Sequence, residues 1–179
     1  MTPDLGRLAE VMPRPSTPAH APDWNAAETT LDTTLPADYK ELINTYGGGF
    51  VDGLMLLLEP GCANDVYDQL KISAEREEAN DALWQYEDKP TEMEQEGNRL
   101  VCWATTDNGD YLYWLVRPGD SADSRPVLVN DESGQEWERY DMTVTRFLTA
   151  VLNGEVRSQI LWDKFPSDPH EFRPARGSM

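Results

Sequence analysis

The order of helical and strand patterns along the chain predicts an α+β fold in which helices pack on a sheet. Helical patterns fill the first half of the sequence, strand patterns follow over residues 100–140, and a last helical stripe begins near Thr143. Such separate runs of helices and strands are typical of α+β domains. Two segments carry most of the prediction: Leu35–Gly49 reads as an amphipathic helix that ends on glycine, and Trp103–Leu115 reads as an aromatic hairpin.

The length and composition predict one domain with terminal extensions. A chain of 179 residues with 39% hydrophobic residues and six tryptophans can bury a sizeable core. We predict a proline-rich N-terminal arm (1–22), a single domain (23–162) and a C-terminal tail (163–179). In the arm, Leu5 and Leu8 could line a short helical turn that Pro13 ends.

The charge balance is strongly acidic, with 33 acidic residues against 15 basic ones and a formal net charge of −18. This field repels phosphates, so we expect neither nucleic acid nor a membrane as a partner, whereas a basic protein would be attracted. The alternative is an acidic surface that only keeps the protein soluble.

Cysteine usage and hydropathy predict a cytoplasmic protein. Cys62 and Cys102 do not make a disulfide framework. No apolar run approaches the roughly 18 residues of a membrane span, and no signal-peptide pattern is visible at the N-terminus.

Two helices and a strand are predicted in the first third of the chain. Asp23 can cap a helix over residues 24–31. The next helix begins at Pro36 and ends at Gly47, and a short buried strand follows at Leu54–Leu58. The buried stripe of the second helix consists of Tyr39, Leu42, Ile43 and Tyr46.

A longer helix is predicted from Asp65 to about Tyr86, with Asn64 as its cap. Its apolar periodicity is weak, and its outer face is acidic. Its predicted inner face consists of Val66, Leu70, Ala74 and Leu83. The acidic stretch Glu87–Gly97 is predicted to be a loop.

Asn108-Gly109 predicts a hairpin with a two-residue turn. In that register Trp103 pairs with Trp114, and Asp107 faces Asp110. Both faces of the hairpin are apolar, which predicts central strands covered on both sides. Further strands are predicted at 125–130 and 135–140, and the last helix begins near Thr143 and ends at Gly154. Its buried stripe consists of Val144, Phe147, Leu148, Val151 and Leu152.

Asp107 and Asp110 form the first candidate site. Like charges directly opposite are unfavourable, so this pair could bind a cation or an Arg or Lys of a partner. The alternative, which we favour, is that these are ordinary turn residues. A hydrolase that uses both carboxylates would need a shaped pocket and a group with a different pKa, and the sequence shows neither.

Two further acidic surfaces are candidates for partner binding. The first, on the predicted longer helix, consists of Glu75, Glu77 and Glu78. The second, after the hairpin, consists of Asp131, Glu132, Glu136 and Trp137. An aromatic side chain among carboxylates suits an interface hot spot, and it suits a sheet core equally well.

No motif indicates catalysis. Gly47–Gly49 follows a helix, whereas a phosphate loop precedes one. His20 and His170 have no neighbouring ligand set, and no Gly-x-Ser-x-Gly elbow is present. We therefore expect no enzyme activity, no cofactor and no metal.

The chain resembles the SUKH superfamily, also called SMI/KNR-like, from about Trp24 to Trp162. The most specific part is Leu35–Gly49, and the second is Thr105–Asp110 leading to Tyr113-Trp-Leu. The resemblance implies a curved mixed, mostly antiparallel sheet with helices packed beside it.

The resemblance also implies binding rather than catalysis. Many bacterial members are immunity proteins of polymorphic toxin systems, which bind and neutralise a cognate toxin, commonly a nuclease. Together with the charge, this predicts a basic toxin as partner. The sequence leaves the oligomeric state open, and we favour a monomer. Other members are cell-wall regulators, so a non-catalytic regulatory or scaffolding module is the alternative.

Overall fold

Seven strands form one open sheet in the computed structural model, which describes residues 2–161 and 165–175. In chain order they are β1 (Gly49–Val51), β2 (Met55–Leu57), β3 (Arg99–Thr106), β4 (Tyr111–Val116), β5 (Val127–Asn130), β6 (Trp137–Tyr140) and β7 (Phe172–Pro174). Their order across the sheet is β6-β5-β4-β3-β2-β1-β7, and each of these pairings is antiparallel. An isolated parallel bridge joins Glu59 to Asp68.

Five α-helices accompany the sheet within the described residues. They are α1 (Pro3–Val11), α2 (Trp24–Leu31), α3 (Ala37–Tyr46), α4 (Gln69–Leu83) and α5 (Val144–Leu152). The predicted α+β class is confirmed. The predicted bounds of α2 and its Asp23 cap are also confirmed, because the Asp23 carboxylate accepts a hydrogen bond from the Ala26 N–H at 3.0 Å.

Two apolar clusters lie on opposite faces of the sheet, because side chains alternate along each strand. On β3, Trp103 belongs to the larger cluster and Cys102 to the smaller one. The larger cluster is covered by α1, α2, α3 and α5, and the smaller one by α4. We call these sides the core face and the α4 face. The prediction of a central hairpin covered on both sides is confirmed.

Helix α3 is held on the core face of the sheet by aromatic side chains whose hydroxyl groups form hydrogen bonds. Tyr39 is fully buried, its ring lies edge-on to Trp114 at 4.8 Å, and its hydroxyl donates to the Leu58 carbonyl at 2.6 Å. Tyr46 likewise donates to the Met12 carbonyl at 2.7 Å. Burying an aromatic ring while its hydroxyl keeps a partner avoids the cost of an unpaired polar group.

Residues 3–12 are not a detached arm, which corrects the prediction for this segment. Helix α1 packs against α5 and α3, and it buries Leu5, Leu8 and Met12 in the core cluster. Thr2 caps α1, and its own N–H donates to Glu41 at 2.9 Å. The domain boundaries at 22 and 162 remain predictions.

The C-terminal segment also contributes to the fold, although residues 163–179 were predicted to be a tail outside the domain. Strand β7 pairs with β1, and Phe172 packs on Tyr46 with ring centroids 5.2 Å apart. A Cβ at Gly49 would lie only 2.5 Å from the Arg173 carbonyl oxygen, so glycine permits this close pairing. The predictions for residues 162–164 and 176–179 lie outside the described residues.

The β3–β4 hairpin has a three-residue turn, Asp107–Gly109, instead of the predicted two-residue turn. The Thr106 N–H donates to the Asp110 carbonyl at 3.0 Å, and Gly109 has a φ of 91°. This is the arrangement of a three-residue loop that ends on a left-handed glycine. Trp103 lies at a bulge, so Trp114 pairs with Val101 and the predicted Trp103–Trp114 pairing is wrong. The two indoles still share the core face, with centroids 6.5 Å apart.

Helix α4 begins four residues later than predicted. Residues Asp65–Tyr67 form a separate 3₁₀ turn capped by Asn64, and Asp68 then caps α4. Because the turn changes the helical phase, Val66 is 56% exposed instead of buried. The fully buried residues of α4 are polar: Gln69, Ser73 and Asn80.

Candidate functional site

A polar network holds α4 on the sheet. Arg76 Nε and Asn80 Nδ2 both donate to the Tyr113 hydroxyl at 3.3 Å, and an Arg76 guanidinium N–H donates to Asn80 Oδ1 at 3.3 Å. The Arg76 guanidinium also stacks over the Tyr111 ring, 3.9 Å from its centroid. Burial raises the pKa of Tyr113 to about 12, so its hydroxyl stays protonated. These contacts fix the α4 backbone in place while its outer side chains face solvent.

Aromatic rings extend this network toward β6. Trp137 stacks on Tyr113 with centroids 6.0 Å apart, and Trp84 at the end of α4 lies 6.5 Å from Trp137. Trp137, a predicted partner-binding residue, is half-buried. Its ring packs against the α4-face cluster, which agrees with a role in the sheet core, and its part in partner binding stays a prediction.

The two aspartates of the hairpin are not an opposed carboxylate pair. Asp107 is exposed, and its N–H donates to the Leu54 carbonyl at 2.9 Å. Asp110 is buried and accepts a 2.8 Å hydrogen bond from the Thr106 hydroxyl. Burial raises the pKa of Asp110, and the Thr106 bond only partly offsets that effect. The three-residue turn therefore leaves Asp107 available to a partner and gives Asp110 a structural role.

The β5–β6 turn lies beside the hairpin tip. A Cβ at Gly109 would lie 3.5 Å from the Glu132 Cβ, so the two turns are in contact. Glu132 and Glu136 are exposed. Burial alone would raise the pKa of Asp131, but hydrogen bonds from the Ser133 hydroxyl and neighbouring backbone N–H groups lower it overall. Asp131 shapes this turn, and Glu132 and Glu136 form its acidic surface.

The three glutamates predicted on α4 do not share one direction. At about 100° per residue, Glu78 lies roughly 60° around the helix from Glu75, whereas Glu77 lies roughly 160° away from Glu75. Glu75 faces the hairpin tip, where it lines a groove together with Tyr111. Glu77 and Glu78 are exposed but do not line that groove.

The groove has a volume of about 300 Å³ and runs between the start of α4 and the hairpin tip. Its apolar lining comes from Leu56, Val66, Ile72 and Tyr111. Asp65 and Glu75 lie on its rim. Sequence reasoning missed this groove because it assigned Val66 to the helix interior. A signal was present: Asn64 and Asp68 are both good caps, and two caps four residues apart indicate two helical segments.

The described residues contain no cluster of three or more His, Cys, Asp or Glu side chains that could hold a metal ion. Burial raises the pKa of the Cys102 thiol to about 12, so it stays protonated and is a poor nucleophile. No helix among the described residues is both long and apolar enough to cross a bilayer. The α4 face thus offers exposed carboxylates and an apolar groove, an arrangement that suits binding.

Comparison with known families gives one match that spans most of the chain. The family SUKH_6, described as SMI1-KNR4 cell-wall, matches residues 22–148. The chain belongs to this family. The predicted SUKH resemblance is thereby confirmed, and the match includes α3, the β3–β4 hairpin and α4. No curated protein and no solved structure matches the chain.

Membership of the SUKH superfamily supports an immunity-like or SMI1/KNR4-type protein. The match ends inside α5 and leaves out α1 and β7, which nevertheless pack on the core face and on β1. The acidic α4 face lies wholly within the matched residues.

Proposed function

We propose that this SUKH-family chain is an immunity protein that binds and neutralises a cognate toxin, most simply a basic nuclease. Family membership supports an immunity-like protein. The choice of a basic toxin as the partner rests on the negative charge of the chain. The net charge is −18, and exposed carboxylates lie around the hairpin tip in three segments that all neighbour Gly109: α4, the hairpin turn and the β5–β6 turn. The central ones are Glu75, Asp107 and Glu132.

Lys71 and Arg76 are the basic residues that line the groove in the described part of this surface. Lys71 pairs with Asp65 at 3.0 Å, and Arg76 is engaged by Tyr111 and Tyr113 beneath α4. The remaining carboxylates project a negative potential that would attract the basic substrate groove of a nuclease. Complementary charge of this kind can raise association toward roughly 10⁸–10⁹ M⁻¹s⁻¹ at low salt.

Neutralisation requires no chemistry from this chain. A bound acidic surface would cover the toxin's active site or its nucleic-acid groove, and carboxylates would occupy positions that phosphates otherwise take. In this proposal Glu77, Glu78 and Glu136 extend the contact at its edges, Trp137 supports it from below, and Asp110 and Asp131 hold the two turns. The encounter takes place in the cytoplasm, with the chain as a monomer.

The proposal is tested by capture followed by rescue. The chain is used as bait in an extract of its native source at low and high salt, and the retained proteins are identified by mass spectrometry. Each captured protein is then expressed in a bacterial host with and without the chain. We expect a basic protein that leaves at high salt, arrests growth when expressed alone, and is harmless when co-expressed.

A charge-reversal pair tests the surface. Glu75→Lys with Asp107→Lys should slow association with the captured toxin at least tenfold at low salt, because it reverses the potential at the contact. Glu10→Lys with Glu155→Lys makes the same change in net charge at exposed positions away from α4. Equal slowing by both pairs would assign the effect to total charge and reject the α4 face.

The description of the matched family as a cell-wall family favours one alternative, a regulatory or scaffolding module that binds an unrelated protein. The rescue experiment separates the two functions. A captured partner that is harmless when expressed alone, and whose binding is insensitive to salt, would support the module and reject immunity.

A further inference from the structure

We infer that the groove between α4 and the hairpin tip is an anchor site for an apolar side chain flanked by Arg or Lys in the partner protein. The inference rests on the proposed function for the identity of that partner. It adds an apolar anchor point to a surface so far described by charge alone.

The groove offers an apolar floor that is only partly covered by the chain itself. Val66 is 56% exposed, and Leu56, Ile72 and Tyr111 around it are half-buried. Val66 and Tyr86 are the two large hydrophobic residues that are exposed within the described part of the chain. A volume of about 300 Å³ is at the lower end of ligand pockets, which suits one inserted side chain better than a large cofactor.

The walls of the groove are held rigidly. The Asn64 side chain accepts from the Val66 N–H at 3.3 Å and fixes the 3₁₀ turn. Asp68 Oδ1 accepts from the N–H groups of Gly61 and Leu70, at 2.9 and 3.1 Å, and so joins this turn to the preceding loop and to α4. An apolar residue that is exposed on a rigid support binds without an ordering cost, which increases affinity.

The charged residues at the edge of the groove determine which residues of the partner can flank the inserted apolar side chain. Lys71 and Arg76 also line the groove, but Lys71 pairs with Asp65 at 3.0 Å and Arg76 stacks on Tyr111. Glu75 lines the groove on the α4 side. Asp107 is close enough to Tyr67 to contribute, after burial and Cys62, to the raised pKa of that tyrosine. Carboxylates therefore stand on both the α4 side and the hairpin side. A partner with an apolar residue between two cations complements this arrangement, whereas an acidic neighbour would be repelled.

The test uses a random peptide library displayed on phage and selected on the immobilised wild-type chain at low salt. We expect enriched peptides that carry an apolar residue beside Arg or Lys.

Val66→Ser should lower the affinity for a synthetic copy of the enriched peptide about fivefold or more, because it removes apolar contact area. Tyr86→Ser is the matched control, since it truncates the other exposed hydrophobic residue. It should leave the affinity unchanged.

Three results would overturn the inference: no enrichment, equal affinity for wild-type and Val66→Ser, or enriched peptides whose apolar residue can be replaced by Ser without loss. Each leaves the immunity proposal intact if the captured toxin is still neutralised. Conversely, a Val66-dependent peptide together with failed growth rescue would support the groove and reject immunity. Nuclear magnetic resonance spectra of each variant verify that its fold is unchanged.

Discussion

The two faces of the sheet are held by different forces. On the core face, four helices bury a continuous set of apolar side chains, and Phe147 on α5 contacts both Trp103 and Tyr140 through its ring. On the α4 face, one helix buries Gln69, Ser73 and Asn80, and it reaches the sheet through hydrogen bonds. A net hydrogen bond contributes about 0.5–1.5 kcal/mol, whereas a fully buried large apolar side chain contributes roughly 1.5–3 kcal/mol.

Because of this difference, the side chains that stabilise the fold are not the ones that are exposed for binding. The apolar core face fixes the fold without needing the outer surface of α4. Helix α4 is then positioned by directional polar contacts from its inner side chains. Its outer side is free to carry carboxylates, and the exposed Val66 lies in the 3₁₀ turn just before it. Attachment of the helix needs neither feature, whereas a binding surface can use both.

The largest expected effect is on the core face. Phe147→Ala should lower the free energy of unfolding by about 3–5 kcal/mol, because it leaves a cavity between Trp103 and Tyr140. Urea denaturation followed by circular dichroism measures the change. Arg146→Ala, at the exposed neighbouring position, should stay within about 0.5 kcal/mol of wild type. A loss below 1 kcal/mol for Phe147→Ala would contradict the assignment of stability to this face.

A smaller loss is expected beneath α4. Asn80→Ala should cost about 1–3 kcal/mol, because it removes a donor to the Tyr113 hydroxyl and leaves Arg76 without its Asn80 acceptor. The exposed Glu78→Ala on the same helix is the control. If Asn80→Ala destabilised the protein as much as Phe147→Ala, the two faces would not differ in the way that their contacts indicate.

Much of the core face could be predicted from the sequence, because its signals are local and periodic. The stripe from Tyr39 to Tyr46 and the one from Val144 to Leu152 follow helical spacing, and both helices form as predicted. Helix α1 was predicted to belong to an arm outside the domain, because its apolar residues are few and several prolines follow it. Its burial depends on contact with α5, more than 130 positions later in the chain, and no local pattern encodes that contact.

The α4 face was harder to predict because its inner contacts are polar. Gln69, Ser73 and Asn80 resemble surface residues in sequence, so the hydrophobic pattern missed them. It also assigned Val66 and Ala74 to the inner face although both are exposed, whereas the predicted Leu70 does pack against the core. The acidic residues were found, but not their grouping. The bulge at Trp103 and the three-residue turn decide that Asp107 is exposed and Asp110 is buried, and both depend on cross-strand pairing.

Hydrogen exchange should detect the same contrast in the unmodified protein. Amides in the middle of α4 should exchange through a local opening whose free energy lies about 2 kcal/mol below that of α5, because few apolar contacts hold α4. Native-state exchange monitored by nuclear magnetic resonance gives both values. Equal protection in α4 and α5 would mean that the two helices unfold only together. Bound toxin should raise the protection of α4 selectively, if the proposed surface is the one used.

The smallest change in stability is expected at Asp110. Titration of this carboxyl group makes the stability of the protein depend on pH. Burial raises the pKa of Asp110 in the folded protein, so folding favours its protonated form. Its contribution to stability is complete below the unfolded pKa of about 3.9 and is lost as the pH rises through the higher folded value.

The Asp110→Asn variant does not titrate at this position and keeps an oxygen that can accept from the Thr106 hydroxyl. Its stability relative to wild type should therefore rise between pH 3 and pH 7, because only the wild type loses the stabilisation that comes with a protonated Asp110. Asp107→Asn, at the exposed end of the same turn, serves as the control for removing one carboxylate from the hairpin tip. Paired urea denaturation curves at several pH values measure both differences. A relative stability of Asp110→Asn that falls with pH would mean that the Asp110 carboxylate is stabilised in its charged form, and hence that the hairpin tip is organised around a negative charge instead of a buried neutral acid.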